Sequence, residues 1–169
     1  MFCRILCLAP VLLLSGCVSL VAPYDPTFDQ SLNKLSEDTA KFLAAASAGG
    51  PERRHGSQET VAYYAATYNV LDRLIERARL TRSRFACPAN PILKDLADST
   101  QNATALPADY EALDCHEMNL FAVRFNVDLL QRFHGAGAEL TVDEAEVAGL
   151  NLQKSIMGAI IAFQVEKPS

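Results

Sequence analysis

The chain has 169 residues, half of them apolar and 21% charged, with a formal net charge of −5. That length suits one domain with a sizeable core, and the balance of apolar and charged residues excludes a disordered chain. Twenty acids against fifteen Lys and Arg also argue against nonspecific nucleic-acid binding, which draws on many cation–phosphate contacts.

Met1 to Arg4 reads as a short basic start, followed by an apolar run from Ile5 to Leu14. That run is too short for a permanent helix across a hydrocarbon core of roughly 30 Å. Leu14-Ser15-Gly16-Cys17 comes directly after it: one aliphatic residue, two small ones and a cysteine. With this pattern the N-terminus resembles the lipobox signals of bacterial lipoproteins. The resemblance implies removal of residues 1–16, a diacylglycerol on the Cys17 thiol and acylation of the new amine by a fatty acid such as palmitate. Two or three acyl chains anchor stably, at about 0.8 kcal/mol per buried CH₂, where one binds only marginally. Val18 at the next position, in place of Asp, implies the outer membrane, with the domain facing the periplasm. The exported chain keeps fourteen bases and twenty acids, a net charge of −6. Residues 17–26 read as a tether, in which Pro23 and Pro26 oppose early helix formation. Residues 27–169 then form the single domain.

Five cysteines divide cleanly. Cys3 and Cys7 leave with the signal, Cys17 takes lipid, and Cys87 and Cys115 remain as a pair in an oxidising compartment. A disulfide between them would close a loop of about 28 residues and stabilise by about 3–4 kcal/mol on the chain-entropy account. The alternative is two small buried apolar side chains.

Asp25 followed by Pro26 is a helix start. Phe28, Leu32, Leu35, Thr39, Phe42, Leu43 and Ala46 then recur at three- and four-residue spacing, and Gly49-Gly50-Pro51 ends the helix. Ser57 caps a second helix whose inward face reads Val61, Tyr64, Tyr68, Leu71, Leu74, Ile75 and Ala78. Arg73, Arg77 and Arg84 share a flank of it, and residues 53–84 carry seven bases against three acids. That flank is either a solvated face or a contact surface for an acidic partner or headgroup.

Cys87-Pro88 and Asn90-Pro91 break the chain, and residues 92–99 suggest a short third helix. The spacing then predicts a long helix over 107–134, ended by Gly135 and Gly137. One polar arc holds Glu117, Arg124, Asp128, Gln131 and Arg132, with Phe121 as an apolar exception, and the remainder is largely apolar, out to Phe133. So wide an apolar arc marks the inner helix of a bundle. Asn119 and Asn126 sit inside it and need partners, either a register-fixing internal hydrogen bond or a small ligand between helices. Residues 95–146 carry eleven acids against Arg124 and Arg132, opposite in sign to the second helix, so the flanks of the two should attract.

Thr141 with Glu144 forms a capping box for the last helix. Its inward stripe is Ala145, Ala148, Leu152, Ile156, Ala159 and Phe163. A second strip, Val147, Leu150, Met157, Ile161 and Val165, lies on roughly the opposite side. A helix with two apolar strips is either sandwiched or offers one strip to a partner.

The expected fold is all-α, a bundle of four main helices joined by short connections and one longer link over 85–106. The three histidines give no metal-ligand spacing: His116 and His134 lie about 27 Å apart along one helix, and His55 falls in a loop. They read as solvated or capping side chains. No phosphate loop, dinucleotide fingerprint or nucleophile elbow occurs, so neither a cofactor nor an enzymatic activity is expected. The expected role is a lipid-anchored interaction or structural module of the cell envelope. It would hold an envelope protein through Leu150, Met157 and Ile161, or through Arg73, Arg77 and Arg84. The alternative is a small-ligand carrier or sensor with a cavity near Asn119 and Asn126.

Overall fold

The structure, a computed structural model, describes residues 24–81, 112–137 and 139–164. Cys17, Arg84, Cys87, Val165 and the short helix expected over 92–99 lie outside the described residues.

Helix α1 spans Pro26–Ser47 and starts as its sequence dictates: the Asp25 carboxylate accepts from the Thr27 N–H at 3.0 Å, with Pro26 supplying a preset φ. It ends in a Schellman turn. Gly49 sits at φ 83°, and the N–H groups of Gly49 and Gly50 donate back to Ala46 and Ala45. A 3-10 turn at Pro51–Arg53 leads into α2, Gln58–Thr81, whose Thr60 N–H donates to the Ser57 hydroxyl at 3.1 Å. Helix α3 runs Cys115–Gly137, and α4 runs Val142–Gln164 behind the Thr141/Glu144 capping box.

The four helices form an all-α bundle, with no strand among the described residues. Each packs on two neighbours, in the ring α1–α2–α3–α4. Every neighbouring pair is antiparallel. Arg77 near the end of α2 pairs with Asp25 before α1. Tyr64 near the start of α2 meets His134 near the end of α3. His116 at the start of α3 stacks on Phe163 at the end of α4, and Phe163 stacks on Phe28 at the start of α1. At the other end the Leu140 N–H donates to the Arg53 carbonyl at 2.8 Å, joining the two inter-helix turns.

All seven stripe residues of α1 are buried, as the spacing predicts. Leu32, Leu71, Leu120, Leu130, Leu152 and Ile156 form the driest part of the core. At about 25 cal/mol per Å² of apolar surface removed from water, such burial is the main force holding the ring together. Gly149 allows α4 close to α1: a Cβ there would sit 2.9 Å from Leu43 Cδ1.

Four expectations are corrected. The long helix begins at Cys115, because the Asp114 side chain accepts from the Glu117 N–H at 2.9 Å and caps it there; residues 107–111 lie outside the described set. Gly135 lies within that helix, which ends at Gly137. Val61 faces water, and Thr60 and Thr67 of α2 turn inward instead. Of the polar arc on α3, Glu117 and Asp128 are buried, as are Phe121, His116 and His134, while Phe133 is exposed.

Candidate functional site

Two kinds of surface were open to a partner on sequence grounds, and the structure treats them differently. The α2 flank is engaged within the molecule. Arg77 pairs with Asp25, Arg79 holds Glu117 at 3.2 Å, and Asp72 holds Arg124 of α3. Arg73 is exposed, and Arg84 is outside the described residues. Of the two α2–α3 ion pairs, Arg79–Glu117 has the sense that the charge split predicts and Asp72–Arg124 the reverse, and of the three arginines of the expected flank Arg77 is engaged, by Asp25.

The α4 strip stays outside. Leu150, Met157 and Ile161 are 56%, 55% and 54% exposed, and Val147 lies in line with them. Their separations from Val147, with Lys154 at the centre, alternate three and four residues, the pattern of a helix–helix seam. Lys154 is the one charge between Val147 and Gln164. By contrast, the outward face of α1 carries Lys34–Asp38 and Lys41–Glu37 pairs, as a solvated helix does.

Beside the strip, α3 and α4 leave a cleft of about 300 Å³. Its apolar wall is Leu129, Leu130, Phe133, Val147 and Ala148, and its polar rim is Asn126, Asn151, Asp143 and Glu144. Phe133, which the apolar arc of α3 placed in the core, instead forms one lip of this cleft. Glu144 is committed to the cap: its carboxylate accepts from the Thr141 N–H at 2.9 Å, and this bond holds its pKa below the ordinary range. Asp143 and Glu146 extend outward from the same turn.

The two amides behave alike locally and differ in surroundings. Asn119 Nδ2 donates to the Cys115 carbonyl at 2.7 Å, and Asn126 Nδ2 donates to the Ala122 carbonyl at 2.9 Å. Both bonds stay within α3: each amide N–H is satisfied by the carbonyl one turn earlier on its own helix. Asn126 reaches the cleft. Asn119 faces Gly158, its Oδ1 3.7 Å from where a Cβ would stand, and it is not among the described residues that line the cleft.

A buried polar group that spacing alone did not reveal lies at the same end of the bundle. His134 is fully buried, its Nε2 2.8 Å from the Arg53 carbonyl and its Nδ1 3.2 Å from the Tyr64 hydroxyl. Nε2–H donates to the carbonyl, and Nδ1 accepts from the phenol. Desolvation holds its pKa below the ordinary histidine value. Between α2 and α3, Tyr68 donates to the Asp128 carboxylate at 2.6 Å under Arg124, and burial followed by this bond raises the phenol pKa.

Among the described residues no group of three His, Cys, Asp or Glu side chains is placed to hold a metal ion, and no helix is long and apolar enough to cross a membrane. Comparisons with protein families, curated proteins and solved structures return no match.

Proposed function

We propose that this chain is a lipid-anchored, periplasm-facing helical lipoprotein of the cell envelope. It acts as an interaction or structural module and not as an enzyme. The observation that carries the interaction role is the outward face of α4, an exposed apolar strip with one charge over five turns. Such a face costs solubility unless something covers it. The lipobox at Leu14–Cys17 supports the anchor, and Val18 supports the outer membrane. Export in turn supports a Cys87–Cys115 disulfide, which would pin the link after α2 to the start of α3.

Fractionation of a Cys17→Ser variant tests the anchor. The variant leaves the membrane fraction in which the parent stays, and if it sediments with membranes like the parent the anchor is wrong. Mass spectrometry after non-reducing digestion tests the pairing, and recovery of both thiols free rejects it. A second reading, a small-ligand carrier, is favoured by the cleft beside Asn126. Protection of Asn126 and Phe133 resonances by an apolar amide or alcohol would support it.

A further inference from the structure

The proposed interaction role leaves the occupant of the α3–α4 face open, and spacing and charge narrow it. A three–four alternation on a straight helix accepts another helix packed nearly parallel to its axis, ridges into grooves. Val147 to Ile161 is fourteen residues, about 21 Å of helix, so a partner of four to five turns covers it. The surface is also polar in direction. Asp143 and Glu146 make its first turn acidic, and Lys154 puts a single cation at mid-seam.

A second copy fits poorly. In a two-fold antiparallel pairing centred on the strip, Val147 meets Ile161 of the other copy but Lys154 meets Lys154. In a parallel pairing, the acids at 143 and 146 also face their own kind. Like charges across a seam oppose association.

We propose that the face docks an amphipathic helix of another protein, antiparallel to α4, with apolar residues at three–four spacing, a carboxylate at mid-seam against Lys154 and Lys or Arg in its last turn over Asp143 and Glu146. This inference rests on the interaction reading above. The basic last turn is favoured twice, by the acidic rim and by the partner's own helix dipole. Its apolar side chain nearest that turn fills the cleft under Phe133 and Val147.

The test uses the acylated full chain in phosphatidylcholine nanodiscs and two synthetic 21-residue helical peptides. Both carry leucines at three–four spacing and two lysines in the last turn, and they differ only in Glu or Lys at mid-seam. Fluorescence anisotropy should show the Glu peptide binding about three- to tenfold more tightly than the Lys peptide. Lys154→Glu should invert that order, and Leu150→Asp should abolish binding of both while leaving the circular dichroism melt unchanged. Equal binding of the two peptides that ignores Lys154→Glu overturns the charge rule, and binding of neither overturns the docking face. Self-association in analytical ultracentrifugation that Leu150→Asp removes makes a second copy the occupant and overturns the proposal. Peptide-independent adhesion to vesicles that needs Met157 and Ile161 overturns it in favour of lipid. The Cys17→Ser chain in buffer, without nanodiscs, should rank the two peptides in the same order, so failure of the anchor and failure of the docking rule are told apart.

Discussion

His134 and Tyr64 meet across α2 and α3 at 3.2 Å, with the imidazole shut off from solvent. Its other nitrogen lies 2.8 Å from the Arg53 carbonyl, so one neutral ring ties two helices to the turn before α2. Desolvation lowers its pKa, with His55 adding repulsion, so the unfolded chain takes up a proton that the folded one resists. Stability from this group is therefore full above the unfolded value of about 6.5 and is lost as pH falls below it toward the folded value. The melting temperature should drop between about pH 7 and pH 5. In His134→Gln, which keeps an N–H donor for the carbonyl, that part of the slope should disappear. An unchanged slope would assign the pH dependence elsewhere.

Tyr68→Phe removes the donor to a carboxylate that is only 9% exposed. Leaving Asp128 one donor short should cost about 1–3 kcal/mol in urea unfolding. Asp128→Asn in the Phe background should recover part of that, because a neutral amide is cheaper to bury than a charge. Full additivity of the two substitutions would show that the pair is not coupled.

Gly149 stands where α4 crosses α1, and larger side chains meet Leu43. Gly149→Val should destabilise by about 1–3 kcal/mol through overpacking, although valine has the better intrinsic helix propensity. A compensating Leu43→Ala should restore a good part of the loss. A Gly149→Val chain as stable as the parent would mean that the helices separate freely there.

Phe163 is stacked between Phe28 and His116, with both centroids at 3.9 Å. Truncation to Ala should cost about 3–5 kcal/mol, since it opens a cavity at the junction of α1, α3 and α4. Ile161→Gln, two residues earlier on the same helix but outward, should stay within about 0.5 kcal/mol. Thermal melts of the two variants separate core from docking face. Similar losses in both would place Ile161 in the core.

The periodicity of α1 was fully legible because one helix face meets one core and both caps are local: Asp25 and the Gly49–Gly50 turn lie beside the helix they end. The inward stripe of α4 was legible for the same reason, and only the structure decides that the second strip is exposed rather than sandwiched. Legibility failed where burial depends on a partner distant in sequence. Glu117 and Asp128 look like surface residues until Arg79 and Tyr68 of α2 come across to them. His134 looks like a solvated end-of-helix residue until Arg53 supplies a carbonyl. One missed signal was local: Asp114, three residues before Glu117, is a capping residue inside an apparently continuous helical pattern.

The antiparallel ring puts the first residue of α1 and the cleft at opposite ends of the bundle. From Cys17 to Tyr24 the chain spans at most about 25 Å, and the level of Gly149 lies about another 25 Å along α1. Under the anchor proposed at Cys17, that contour length, and not the bundle's own affinity for lipid, bounds the radius the cleft can reach. A partner up to about 50 Å from the acyl chains is within that radius, and so is one at the headgroups if the bundle lies over. On that proposal, lengthening or shortening residues 18–23 changes which partners come within reach and leaves the α4 face unaltered.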